Sequence, residues 1–243
     1  MNIIKRIYWK YLRLTPDGFV KFLRINGIKV GENVVFRDPR HTLIDITRPS
    51  LVEFGNNIDI NDNFCVITHD FGTYVFRQKY RDFINSSGHV ILGNNIVIGR
   101  NVTILKNVTI GDNCIIGLGS VITKSIPANS VVAGAPARVI CTIEEYYNKR
   151  RQACIDEAID YGVSIIKNYH RYPTIEDFHE EWVHFINRND YEENPIVQYY
   201  VDFRLKRFGL IDDIIEKPHT FKNFDEFLSV VVERASSKGF FVS

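Results

Sequence analysis

Aliphatic residues recur at every sixth position through the middle of the chain. From Leu92 onward the sequence reads LGNNIV IGRNVT ILKNVT IGDNCI IGLGSV ITKSIP, with Leu or Ile opening each unit. A period of two predicts a strand and a period of 3.6 a helix, whereas a strict six predicts a short strand followed by a corner. Three such units close one triangular coil, and successive coils stack strand on strand. The pattern favours a parallel β-helix over a β-sandwich, whose strands come every 8–12 residues or so.

A weaker copy of the six-residue register lies upstream, between residues 30 and 66. Residues 39–50 are irregular, and the 26 residues from Val66 to Leu92 are two more than a multiple of six. An insertion into stacked coils leaves as a loop on one face, and long loops on rigid scaffolds commonly carry function. We therefore expect an extruded loop over about residues 70–89. The apolar positions that keep the upstream register are Val30, Phe36, Phe54, Ile60 and Val66.

The six-residue period ends near residue 141, and helical patterns replace it. We expect a β-helix domain over residues 26–141 and an α-helical domain over residues 142–243. Thr174 and Asp177 have the spacing of a capping box at a helix start. The many aromatic residues of this domain form a small helical core or, as the alternative, a sugar-stacking surface. The stretches that read as helices are residues 143–169, 174–190 and 224–237.

Residues 1–25 form a separate helical segment with apolar residues at helical spacing. Between residues 1 and 24, six Lys and Arg stand against one acidic residue, Asp17. A basic amphipathic helix can lie on an anionic membrane. Peripheral membrane contact of residues 1–24 is therefore an alternative to packing of this helix on its own domain.

Composition and charge exclude several classes of protein. The 243 residues carry 30 Lys+Arg against 29 Asp+Glu, so the formal net charge is only +1, which does not indicate a nucleic-acid binder. No apolar run approaches the roughly 18 residues of a membrane helix, and the N-terminus lacks the features of a signal peptide. The four cysteines have no metal-like spacing and fit reduced thiols. We expect a cytoplasmic protein, with the inner face of the membrane as the alternative location.

The repeat and the segment that closes it resemble the left-handed β-helix (hexapeptide-repeat) acyltransferases. The resemblance covers about residues 26–141 and is most specific over residues 93–140, which end in AGAPARVI. Within the family, the sequence is most similar to the sugar and xenobiotic O-acetyltransferases and to the O-acetyltransferases of bacterial surface polysaccharides. The resemblance implies a homotrimer with acetyl-CoA lying in a groove between neighbouring prisms, and a carbohydrate acceptor.

The resemblance also implies that His69 is catalytic, because the family's histidine follows the coil before the extruded loop and ITHD occupies that place here. A sugar hydroxyl is a poor nucleophile and must lose its proton as it attacks a thioester. Neutral imidazole suits that step at cytosolic pH. His89, where the loop returns, is the reserve candidate. Asp70 is expected to be solvated, since an adjacent residue seldom points toward the imidazole.

For acetyl-CoA the family implies backbone contacts in two coils and cationic side chains for the phosphates. Lys124 and Arg138 suit the pyrophosphate and ribose phosphate, to which cations form charge-assisted hydrogen bonds. The family's acceptor-binding Asn/Asp pair falls in the irregular residues 39–50 and is not placed. No metal is expected. The implied cofactor-binding residues are Gly99, Gly117, Leu118, Thr123, Lys124 and Arg138.

The favoured function is acetyl-CoA-dependent O-acetylation of a sugar hydroxyl in a capsule or O-antigen polysaccharide or its precursor. N-acetylation of an amino-sugar nucleotide, acetylation of serine or another small acceptor, and a non-catalytic hexapeptide-repeat scaffold remain open. A zinc enzyme of the γ-carbonic anhydrase kind is disfavoured, because it needs three convergent histidines and the chain lacks a second spaced pair.

Overall fold

The computed structural model describes residues 3–242, with side chains described from residue 8 onward. The chain divides into two compact units, Met1–Asn148 and Lys149–Ser243. The first unit is built from short strands that return to the same three sheets in turn. The strands are β1 (Lys29–Val30), β2 (Val34–Phe36), β3 (Leu43–Ile44), β4 (Val52–Phe54), β5 (Ile58–Ile60), β6 (Cys65–Val66), β7 (Val90–Leu92), β8 (Ile96–Ile98), β9 (Thr103–Ile104), β10 (Val108–Ile110), β11 (Cys114–Ile116), β12 (Val121–Ile122), β13 (Ser130–Gly134) and β14 (Ala137–Thr142).

Three sheets form the three faces of a prism, and every third strand joins the same face. Sheet A has the order β1-β4-β7-β10, sheet B the order β14-β13-β11-β8-β5-β2, and sheet C the order β12-β9-β6-β3. All neighbours are parallel except β13 and β14. The predicted left-handed parallel β-helix is confirmed.

The residues that keep the six-residue period line the inside of the prism. Ile98, Ile104, Ile110 and Ile122 are completely buried, and Leu92 is 1% exposed. The corners are tight because a polar residue of each takes the left-handed backbone conformation. These corner residues are Asn33, Asn57, Asn63, Asn95, Asn101, Asn107, Asn113 and Asn129, with φ between 56° and 62°. Asn tolerates this conformation better than other non-glycine residues.

Two helices, α1 (Ile3–Leu12) and α2 (Pro16–Ile25), stand where one helical segment was predicted. The chain breaks between them because Thr15 caps α2, accepting a hydrogen bond from Gly18 N at 3.2 Å, and Pro16 begins the new helix. α2 packs on the first coil, with the Phe19 ring edge-on to Phe36 at 4.9 Å.

The membrane contact of residues 1–24 stays a prediction, and its first two residues lie outside the described part of the chain. Trp9 packs edge-on against Phe22 of α2, whereas Tyr8 and Tyr11 face solvent. Among residues 3–242 no helix is both long and apolar enough to cross a membrane.

The second unit is helical and has its own core. The predicted helices over residues 143–169 and 224–237 coincide with α4 and α8. Phe178, Phe185 and Phe227 pack ring against ring at its centre and are almost completely buried. A helical core thus accounts for these aromatic residues. The helices are α4 (Ile143–Tyr169), which begins in the first unit, α5 (Arg188–Glu193), α6 (Pro195–Leu205), α7 (Ile211–Ile215) and α8 (Phe224–Ser237).

The predicted helix over residues 174–190 is wrong. Two short 3-10 helices, Ile175–Asp177 and Glu181–His184, occupy most of that range. The capping box is present, with Thr174 N donating to the Asp177 carboxylate at 2.8 Å, but the turn it begins ends at Phe178. Buried aromatic residues keep a helix-like spacing here because separate turns send them into one core, which overrides local propensity.

Candidate functional site

His69 lies just beyond the end of β6, and its imidazole meets a carboxylate from the preceding coil. Nδ1 of His69 donates to Oδ2 of Asp45 at 2.6 Å. Asp45 directly follows β3, which pairs with β6 in sheet C, so the sheet register brings the two residues to the same corner of the prism. The side chain of His69 is 20% exposed and that of Asp45 only 6%. A buried carboxylate therefore supports a solvent-accessible imidazole.

Two threonines keep Asp45 ionised and in place. Thr47 donates to Oδ1 from its backbone N–H at 3.0 Å and from its hydroxyl at 2.6 Å. The Thr68 hydroxyl donates to Oδ2. Burial alone would raise the pKa of Asp45, but the hydrogen bonds from Thr47, Thr68 and His69 outweigh it and hold that pKa far below its usual range.

The ionised carboxylate fixes which imidazole nitrogen carries the proton. A carboxylate can only accept, so Nδ1 of His69 must be the donor in this pair. In neutral imidazole the other nitrogen, Nε2, then has a free lone pair. Nε2 has no hydrogen-bond partner within residues 3–242. The arrangement can remove a proton from a group that approaches from solvent.

The extruded loop is tied down at its base, next to His69. His69 pairs with Ser87 in an antiparallel bridge, and Gly88 N donates to Thr68 O at 2.9 Å. Glycine is required at this return point, because a Cβ on Gly88 would lie 1.9 Å from Oδ1 of Asn107. Between its ends the loop contains a short helix, α3 (Thr73–Tyr80).

Lys106 connects both ends of the loop to the next coil. Its ammonium donates to the Asp70 carboxylate and to the Ser86 hydroxyl. The hydrogen bond from Lys106 lowers the pKa of Asp70, so this carboxyl stays ionised and paired. Asp70 is thus held by Lys106 rather than solvated freely, and Asp45 contacts the imidazole instead.

Four of the predicted cofactor-binding residues lie together where sheet B turns into sheet C, a position we call the BC corner (residues 99–102 and 117–120). Gly99 lies one coil from Leu118, and a Cβ added to Gly99 would be 2.6 Å from Leu118 N. The next coil continues this line, since the same test on Gly117 reaches the Ala133 Cβ at 2.8 Å. Arg138 is paired with Ala133 across the β13–β14 hairpin.

The other predicted residues lie where sheet C turns into sheet A, the CA corner (residues 105–107 and 123–125). Leu105 N donates to Ile122 O, which places Thr123 and Lys124 one coil beyond Lys106. His69 leaves the same corner one coil earlier, since Ile67 N donates to Ile104 O. One chain therefore carries its predicted site residues on two corners, at opposite edges of the face formed by sheet C.

The two predicted phosphate-binding cations are exposed. Arg138 donates to the carbonyl of Ala137 at 2.8 Å and makes no ion pair in the part of the chain that the structure describes. Lys124 has neither a hydrogen bond nor an ion pair within that same part. Both are accessible to an anionic ligand.

The sequence did not reveal Asp45, Thr47, Thr68 or Lys106 as site residues. Asp45 and Thr47 fall in the irregular residues 39–50, in which no functional residue was placed. A usable signal was the apolar pair Leu43–Ile44 just before Asp45, which matches Cys65–Val66 just before the corner of His69. The side chain of His89, the reserve candidate, is exposed, and its carbonyl accepts a hydrogen bond from Val108 N.

Comparison with known proteins matches the repeat first. The family of bacterial hexapeptide transferases (six repeats) matches residues 89–124, the regular coils of the prism. Over 148 residues the chain is 33% identical to Protein CapG of Staphylococcus aureus, a match that covers 60% of this chain and 83% of that protein.

Solved structures with a similar fold include two acetyltransferases. A maltose O-acetyltransferase from Clostridium difficile 630 is 26% identical, with a TM-score of 0.41 over 56% of this chain and 83% of that one. A hexapeptide-repeat containing acetyltransferase from Vibrio cholerae is 18% identical, with a TM-score of 0.43 over 59% of this chain and 94% of that one.

Proposed function

Because this chain belongs to the bacterial hexapeptide-repeat transferases, a family of acyltransferases, we propose that it transfers the acetyl group of acetyl-CoA to a sugar hydroxyl. The proposed acceptor is a bacterial surface polysaccharide, of capsule or O-antigen, or its precursor. The observation that carries the proposal is the hydrogen bond between His69 and the buried, ionised Asp45, which leaves the second imidazole nitrogen available to an acceptor.

In the proposed reaction His69 is the general base. Nε2 takes the proton of the acceptor hydroxyl as the oxygen attacks the carbonyl carbon of the thioester. The C–S bond then breaks, and the sulfur of CoA leaves with the proton that the imidazolium returns. The products are an O-acetyl ester and CoA thiol. Asp45 remains ionised throughout and stabilises the imidazolium formed between the two proton transfers.

The exposed cations support binding of the donor. Lys124 and Arg138 have no acidic partner in the described residues, so their charges are free to pair with the phosphates of CoA. At the BC corner the backbones of Gly99 and Gly117–Leu118 approach each other without intervening side chains, which suits a ligand that contacts peptide groups.

The working form that we propose is a homotrimer. His69 and Lys124 are at the CA corner, whereas Arg138 is at the BC corner, so a donor that touched all three on one chain would have to cross the face of sheet C. A second prism alongside this face would create a groove in which one donor meets the CA corner of one chain and the BC corner of the other. The trimer therefore explains why the predicted residues are divided between two corners.

The direct test is an acetylation assay with purified protein, acetyl-CoA and a panel of methyl glycosides, read out by release of CoA thiol and by mass spectrometry of the acceptor. We expect a glycoside that gains the mass of one acetyl group and loses it again in mild alkali, as esters do. Acetylation of amino sugars alone, with an alkali-stable product, would contradict O-acetylation.

A further inference from the structure

A large aromatic ring borders the imidazole of His69 without being buried. The ring centroids of His69 and Phe71 are 5.2 Å apart at an interplanar angle of 66°, an edge-to-face contact. Phe71 is nevertheless 77% exposed. Most of its apolar surface therefore faces solvent right beside the proposed base.

The position of Phe71 is fixed by its neighbours in the chain. On one side His69 is held by Asp45 and by its bridge to Ser87. On the other side Asp70 pairs with Lys106, and its Oδ1 accepts a hydrogen bond from Gly72 N at 3.0 Å. Phe71 therefore sits at an anchored point of the loop, where exposure of an apolar ring is maintained rather than incidental.

Phe83 shows what an exposed ring elsewhere on the same loop looks like. It is 66% exposed, close to the value for Phe71, and lies beyond α3. Within the described residues it makes no ring contact and does not approach His69. The two residues share type, loop and exposure, and differ in proximity to the base.

The chemistry at Nε2 determines what Phe71 would meet. A hydroxyl that gives its proton to Nε2 must lie about 3 Å from it. The rest of the acceptor then lies within reach of the groups that border the imidazole, of which Phe71 is the large apolar one. The C–H face of a pyranose ring is apolar, while its hydroxyls are polar. Binding sites for such ligands combine aromatic surface with a few polar groups that fix orientation.

We infer that Phe71 is the acceptor-recognition residue, on which a pyranose ring stacks so that one hydroxyl points at Nε2 of His69. The inference rests on the proposed O-acetyltransferase function and adds a specificity to it. A ring acceptor gains the contact with Phe71, whereas an acyclic polyol with equally reactive hydroxyls gains little from it. The enzyme therefore prefers cyclic sugars.

The test compares Phe71→Ala, Phe71→Tyr and the matched control Phe83→Ala. Initial rates are measured with acetyl-CoA and the methyl glycoside that the wild-type protein acetylates, and with glycerol as the acyclic hydroxyl. Phe71→Ala should raise KM for the glycoside about tenfold, the equivalent of roughly 1.4 kcal/mol. KM for acetyl-CoA and the rate with glycerol should not change. Phe71→Tyr should retain the wild-type KM, and Phe83→Ala should resemble the wild type.

Different outcomes overturn different statements. A wild-type protein that acetylates no glycoside overturns the proposed function, and this inference with it. An active wild type with an unchanged glycoside KM in Phe71→Ala overturns the inference alone. An altered sedimentation mass of Phe71→Ala would also overturn it, because the ring would then belong to a contact between chains.

Discussion

The carboxylate of Asp45 lies 2.6 Å from the imidazole of His69 although the two residues are 24 apart in the chain. The contact is a product of the coil, because β3 and β6 are neighbours in sheet C and each is followed by the same corner. Neither residue belongs to the extruded loop between its ends. The proposed base is thus held by the regular part of the fold, and the loop only borders it.

His69→Ala should lower kcat by about 10²–10⁴, the usual contribution of a positioned general base. Its affinity for acetyl-CoA should be unchanged, because the cations proposed to hold the donor are untouched. The measurement is CoA thiol release under saturating donor, with isothermal titration for binding. His89→Ala is the control and should keep wild-type activity. Loss of activity in His89→Ala alone would assign the base to the end of the loop.

Asp45→Asn should also lower kcat, by about 10²–10⁴, because an amide no longer specifies the tautomer with a proton on Nδ1 or stabilises the imidazolium. The matched control is Asp38→Asn, since Asp38 also pairs with a histidine, the exposed His41, but away from the site. Equal losses in both variants would show that the effect is not specific to the pair at the CA corner.

The stability of the protein should depend on acid through Asp45. Its pKa in the folded state is depressed, so its stabilisation is present above the unfolded pKa of about 3.9 and is lost as the pH falls toward the folded value. We expect the wild type to exceed Asp45→Asn by about 1–3 kcal/mol in free energy of unfolding at pH 7, and by less below about pH 4. Urea unfolding at fixed protein concentration measures this. A difference that grows in acid would contradict the assignment.

Lys124→Ala and Arg138→Ala should each raise KM for acetyl-CoA by roughly 5- to 150-fold, corresponding to about 1–3 kcal/mol for a charge-assisted contact. KM for the acceptor should change much less, since the phosphates belong to the donor. Lys29→Ala serves as control, because Lys29 is an exposed cation of the same prism that pairs with Glu53 on sheet A. A donor KM within twofold of wild type in both variants would remove these residues from the site.

Sedimentation equilibrium should give a mass close to three times the 28.2 kDa of one chain. The outer surface of sheet B and its hairpin exposes Val97, Val139 and Ile140, an apolar surface that association would cover. The measurement is made at micromolar concentration and again at high salt. A monomer under both conditions would rule out a site shared between chains.

The regular coils were predictable because their period is complete. In this part of the chain a residue pairs with one 18 positions later, as Ile96 does with Cys114, so three units of six close each turn. Aliphatic side chains at one phase of that period leave no other way to bury them. The same period placed His69 at the coil that precedes the loop, and family membership confirms the predicted acyltransferase class.

Asp45 escaped prediction because the first coil does not have this length. Leu43 pairs with Cys65, 22 residues later, whereas Val34 pairs with Ile58, 24 residues later. The pairing of β3 is therefore out of phase with the six-residue register, and no periodicity argument could align Asp45 with the corner of His69. Residues 174–190 failed for a related reason, since buried aromatic spacing alone does not distinguish one helix from two separate turns.

The covering of Phe36 by Phe19 has a consequence for solubility. Stacked parallel coils end in strand edges whose free N–H and C=O groups invite another chain to continue the stack, as in amyloid fibrils. At the first coil α2 blocks this addition, and on sheet B the antiparallel β14 breaks the pattern that a parallel strand would need. Removal of α1 and α2 should therefore turn a discrete particle into one that grows end to end into filaments.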